Sequence, residues 1–151
     1  MNIVEAKKHV CFSVSVIVPV YNSEYSLDKL VDRLRFVLQS ITTTFEIILI
    51  NDGSADRSWQ VIRELTLKYS FVHGINLLRN YGQHNALLCG IRAASNEIIV
   101  TMDDDLQHPP EELPSLFDKL SEGHDVIYGT PINEQHDLWR SLASQVTKIV
   151  L

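Results

Sequence analysis

Five short apolar runs rich in β-branched residues alternate with stretches whose apolar residues recur every three or four positions, and this alternation restricts the fold more than any other feature of the chain. The runs are Ser13–Val20 and residues 45–50, 72–77, 97–102 and 125–128. The first is apolar on both sides of the strand period, as a strand covered on both faces must be. Between the runs, Leu27, Leu30, Val31, Leu34, Leu38 and Ile41 recur at helical spacing, with Ser26 expected as the N-cap. Trp59, Ile62, Leu65 and Tyr69 mark a second helix, and residues 83–94 a third. Pro110 suits the first turn of a helix running to about residue 120. Leu138, Leu142, Val146 and Ile149 predict an amphipathic helix over 138–151. Strands alternating with helices imply right-handed crossovers and a mostly parallel sheet between two helical layers, an α/β/α fold. Ligands of such sheets bind outside the carboxyl ends of the strands. Polar clusters fall at four of those ends: Tyr21-Asn22, Asn51-Asp52-Gly53-Ser54, Arg79-Asn80 and residues 103–107.

Composition narrows the function. The chain has 151 residues, 45% of them apolar, which is ordinary globular content. Its 13 basic and 19 acidic side chains leave a net charge of −6, without the basic footprint of a nucleic-acid binder. Cys11 and Cys89 lie far apart in apolar runs, which argues for two reduced, buried thiols and against a disulfide framework or zinc ribbon. No run approaches the ~18 apolar residues of a membrane span, and the N-terminus lacks the apolar core of a secretory signal. The expected organisation is an N-terminal extension at 1–12, a central α/β domain at 13–137, and the amphipathic helix at 138–151. The chain stops inside a helical pattern with no cap, which suggests a piece of a longer protein.

Three clusters carry chemistry. Asp103 and Asp105 alternate on an extended chain and so point to one side, and Gln107 continues that side. Such hard oxygen ligands suit Mg²⁺ or Mn²⁺, which commonly bridges carboxylates to substrate phosphates. A solvated acidic turn is the alternative. Asp52 is either a turn residue or an acceptor for a nucleobase N–H, and Asp56 reads as a helix cap. The segment Arg79-Asn80-Tyr81-Gly82-Gln83-His84-Asn85-Ala86 opens a helix whose free N–H groups could meet a phosphate. The chain contains no G-x-G-x-x-G, Walker loop, H-E-x-x-H or G-x-S-x-G. His108 stands beside the acidic run as a further candidate. Arg140, Ser144 and Lys148 recur every fourth residue, either as a solvated basic edge or as a phosphate-binding face on a membrane surface.

Four segments occur in a telling order: Val16 to Asn22, Asn51-Asp52-Gly53-Ser54-Ala55-Asp56, Arg79-Asn80-Tyr81-Gly82, and Asp103-Asp104-Asp105-Leu106-Gln107-His108-Pro109-Pro110-Glu111. Together they resemble the family 2 glycosyltransferases of the GT-A fold, and within them the polyprenyl-phosphate glycosyltransferases of the dolichyl-phosphate mannose synthase group. The resemblance implies an inverting, metal-dependent transfer of a sugar from a UDP- or GDP-sugar to a polyprenyl phosphate, at the cytoplasmic face of a membrane. It implies a nucleotide site of Pro19, Tyr21, Asn22, Asp52, Arg79, Asn80, Gly82, Asp103 and Asp104. It assigns Mg²⁺ or Mn²⁺ to Asp103, Asp105 and Gln107, the acceptor phosphate to Arg140, Ser144 and Lys148, and the chemical step to Asp103, Asp105 and Arg140. Homo-oligomers are compatible with it. The rival readings are a hydroxyl-directed glycosyltransferase of cell-surface polysaccharide synthesis and a non-catalytic nucleotide-binding fragment.

Overall fold

The computed structural model describes residues 12–129 and, as backbone, residues 147–150. Strands β1 (Ser13–Val20), β2 (Thr44–Asn51), β3 (Val72–Asn76), β4 (Ile98–Thr101), β5 (Val126–Gly129) and β6 (Thr147–Val150) form one sheet in the order β3-β2-β1-β4-β6-β5. Helices α1 (Leu27–Ile41), α2 (Ser58–Lys68), α3 (Gln83–Ala93) and α4 (Leu113–Leu120) connect them, with a 3₁₀ turn at Pro110–Glu112. β1 pairs in parallel with β2 and β4, and β2 with β3, whereas β6 runs antiparallel between β4 and β5. The five expected strands each lie within one residue of the observed ends.

β6 corrects the helix expected over 138–151. Thr147-Lys148-Ile149-Val150 is extended, with Ile99 opposite Val150, Val100 opposite Ile149 and Thr101 opposite Lys148. β5 takes the other edge, with Tyr128 opposite Lys148. Three of these four residues are β-branched, a preference that suits a strand. A place between two strands also satisfies their backbone groups on both sides. The rest of that expected helix lies outside the described residues.

Strand alternation divides the core in two. Val14, Val16, Val18 and Val20 of β1 face the layer of α1, α2 and α4, where Leu30, Leu34, Ile62 and Phe117 meet them. Ile17, Ile48 and Ile50 face the other way, against Ala86 of α3. Gly90 lets α3 lie directly on that face: a Cβ there would come 2.3 Å from Ile17 Cγ2 and 2.6 Å from Ile50 Cδ1. Ser26 occupies the N-cap position of α1 but does not cap it; its hydroxyl donates to the Ser23 carbonyl at 3.1 Å. Cys89 is half-buried rather than buried, and Cys11 lies outside the described residues.

Candidate active site

Every parallel strand of the sheet's centre ends at the same edge, and the chain leaves that edge in polar loops. They enclose a cleft of about 260 Å³. β1 contributes Pro19, Val20 and, just beyond it, Tyr21; the end of β2 contributes Asp52. The loop entering α3 adds Asn80, Gly82 and Gln83, and the segment after β4 adds Asp103, Asp104 and Asp105.

Asp52 is buried and its carboxylate holds the third loop in place. It accepts hydrogen bonds from the backbone N–H of Tyr81 at 2.7 Å and of Gly82 at 2.9 Å. Gly53, at φ +68°, permits the approach: a Cβ would lie 2.4 Å from the backbone nitrogen of Asn80. Gly82 takes φ +88°, and its N–H is shared with the Asn80 side chain at 2.9 Å. Asn22, at φ +54°, is spent on structure rather than on the cleft. Its N–H donates to Ser54 Oγ at 3.0 Å and its Oδ1 accepts from the Ala55 N–H at 2.8 Å. Asp56, expected as a helix cap, stands one residue before Arg57, the N-cap of α2; it accepts from the Ser58 N–H at 2.9 Å and from the Glu24 N–H at 3.1 Å. Arg79 stacks on the Tyr81 ring, 4.9 Å from its centroid, and does not line the cleft.

The three adjacent aspartates engage three different partners. Asp103 Oδ1 accepts from Gln83 Nε2 at 2.7 Å. Asp104 Oδ2 accepts from the Tyr21 N–H at 3.2 Å, and Asp105 Oδ1 from the Gln107 N–H at 2.9 Å. Burial, and then the neighbouring Asp105 and Asp104 carboxylates, push the Asp103 carboxyl above its ordinary range. Burial also raises Asp104, against the hydrogen bonds it accepts from Ser23 and Tyr21. Beyond the acidic run, Arg33 of α1 grips Glu111 through two hydrogen bonds, fastening the following turn to the helical layer.

These aspartates present hard oxygen donors on one cleft, which fits a divalent cation of the Mg²⁺ or Mn²⁺ kind. Among the described residues no three His, Cys, Asp or Glu side chains form a ready cage, so such an ion would draw further ligands from a substrate. Gln107 enters only through its N–H, and His108 lines a separate crevice with Met102 and Gly129. Arg140 and Ser144 lie outside the described residues. Lys148 belongs to β6, so the expected helical face of Arg140, Ser144 and Lys148 does not extend to it. Val20 and Gln83 also line the cleft, and no motif in the sequence singles out either one. Gln83 lies inside the segment noted as opening a helix, but no local pattern points its side chain at an aspartate 20 residues away.

Residues 15–146 match the family described as glycosyl transferase family 2. The chain belongs to that family. The family 2 chain is 39% identical over 140 residues to an undecaprenyl-phosphate 4-deoxy-4-formamido-L-arabinose transferase of Pectobacterium carotovorum, covering 92% of this chain and 43% of that protein. It is 40% identical over 139 residues to the transferase of the same name from Yersinia pestis, covering 91% and 42%. It therefore spans less than half the length of these relatives. Among solved structures, a mannosyltransferase from Pyrobaculum calidifontis, in complex with GDP-Man and Mn²⁺, superposes with TM-score 0.72 at 17% identity, over 93% of this chain and 45% of that one. Staphylococcus aureus TarS 1–349 superposes with TM-score 0.63 at 25% identity, over 81% and 38%. The GT-A fold expected from the resemblance is thus the observed one. No helix among the described residues is long and apolar enough to cross a membrane.

Proposed function

We propose that this chain is the donor-binding part of an inverting glycosyltransferase that moves a sugar from a UDP- or GDP-sugar to a polyprenyl phosphate, undecaprenyl or dolichyl phosphate, at the cytoplasmic face of a membrane. One observation carries the reading: a single cleft is lined both by Pro19 and Tyr21 and by three carboxylates, Asp103, Asp104 and Asp105. A nucleoside diphosphate matches both, with a flat base at one end and an anionic group needing a cation at the other. The names of the relatives support undecaprenyl phosphate as the acceptor.

In this reading the base lies against Pro19 and Tyr21. Asp52, after holding the two loop N–H groups, keeps lone pairs with which to accept a base N–H. Asn80 and Gly82 border the ribose and diphosphate. Asp103 and Asp105 would hold Mg²⁺ or Mn²⁺. When bound, that ion neutralises the charge building on the departing diphosphate. Asp104 ties the acidic segment to the Tyr21 loop, so the base and diphosphate ends keep a constant separation. The acceptor phosphate falls to Arg140 and Ser144. A phosphate is already anionic near neutral pH, so the attack needs no strong general base, unlike attack by a sugar hydroxyl.

The test pairs binding with transfer. Titration calorimetry of the chain with UDP and GDP, in Mn²⁺ and in EDTA, should show tight binding of one nucleotide only with the metal. The longer protein, given radiolabelled sugar nucleotide and polyprenyl phosphate, should place label in an organic-extractable lipid. Label found instead on a soluble sugar hydroxyl would overturn the acceptor.

A further inference from the structure

The geometry points to Gln83 as a positioning residue: its side-chain amide holds the Asp103 carboxylate in place for a divalent cation and the diphosphate it accompanies. The inference rests on the proposed donor site. Gln83 is the first residue of α3 and Asp103 follows β4, so the contact joins two elements across the cleft floor. Its Nε2 lies 2.7 Å from Asp103 Oδ1. Both carboxylate oxygens are acceptors, so only the NH₂ end of the amide can face them, and the amide orientation is dictated by chemistry.

Two features make this contact suited to positioning. First, Gln83 springs from a pinned backbone. The preceding N–H, that of Gly82, is bound by buried Asp52 at 2.9 Å, so the start of α3 is registered to the end of β2. Second, Asp103 stands among like charges. Asp104 and Asp105 line the same cleft beside it, and like charges so close repel. A neutral donor opposes that without adding a positive charge that would compete with a cation; Lys or Arg in its place would do so. The bond engages Oδ1 and leaves the carboxylate further lone pairs that a cation would use. Metal sites depend on such outer partners for about 10- to 100-fold in affinity or activity.

The experiment compares the wild-type chain with Gln83→Leu and Gln83→Met, which remove the donor but retain bulk and helix propensity. Binding of UDP and GDP is followed by calorimetry across a Mn²⁺ series and in EDTA, beside the metal-free Tm. Both variants should need about 10- to 100-fold more Mn²⁺ for half-maximal nucleotide binding. The metal-free Tm should stay at the wild-type value. A wild-type Mn²⁺ requirement in both variants overturns the proposal. So does a fall in the metal-free Tm that accompanies the weaker binding, which would make Gln83 merely the start of a helix. If the wild-type chain binds nucleotide without regard to Mn²⁺, the cation reading falls with it, and that result is read from the wild type alone.

Discussion

Asp52 links the strand edge to the cleft through one buried carboxylate with two backbone donors, Tyr81 and Gly82. Hydrogen bonds to a charged group contribute about 1.5–3 kcal/mol, and a donor stranded by deletion of its partner costs a similar amount. Asp52→Ala should therefore lower unfolding free energy by about 1.5–3 kcal/mol, measured by urea denaturation. Nucleotide affinity should fall as well, because Asn80 and Gly82 lose their anchor. Unchanged stability would show that the loop holds its position without the carboxylate. In the sequence, Asp52-Gly53 reads as a turn with a ligand-facing acid. Its actual partners lie 29 and 30 residues further on, and nothing local announces them.

At the scale of the element, α3 shows how a helix can be set by a missing side chain. Gly in a helix interior ordinarily costs about 1 kcal/mol relative to Ala. Gly90→Ala would recover that, yet its Cβ would enter the space of Ile17 and Ile50 at 2.3 and 2.6 Å. Overpacking of a filled core costs about 1–3 kcal/mol, so the sign should reverse. The variant should be destabilised by about 1 kcal/mol in thermal or urea unfolding. A gain in stability would mean that both isoleucines retreat freely. Because α3 carries Gln83 at its other end, a lifted helix should also weaken nucleotide binding. β6 shows the opposite lesson. Its four residues sit in a helical periodicity, but pairing on two edges makes them a strand.

Across the whole molecule, the two ends of the sheet respond to acid in opposite directions. At the end away from the cleft, burial would raise Glu46, but hydrogen bonds from Ser15 and from the N–H and hydroxyl of Ser95, together with the His73 imidazole, hold it below its ordinary value of 4.5. A carboxyl depressed on folding adds stability above its unfolded pKa and loses it as pH falls through the folded one. Glu46→Gln should thus lower Tm at pH 7, and the difference should close as the pH drops below 4.5. At the cleft, Asp103 is raised by burial and by its acidic neighbours. Its charged form costs stability at neutral pH, and that cost is relieved as pH falls through the raised value. Asp103→Asn should raise Tm at pH 7 while abolishing Mn²⁺-dependent nucleotide binding. A lower Tm would mean that the charged carboxylate is a structural support and not a strained ligand.

By itself the sequence determined the layer architecture, five of the six strands, and the edge at which the polar clusters gather. It could do so because burial periodicity and turn residues are local: each is written within a run of four to fifteen residues. It also marked the motifs that carry the family resemblance. The tertiary structure alone decided how the clusters divide their labour. Asn22 turns to the 51–56 loop, Asp104 to Tyr21, and Gln83 to Asp103. It likewise made residues 147–150 a strand. Each of these choices rests on a partner twenty or more residues distant or on a second edge of the sheet, and such pairings exist only once the chain has closed on itself.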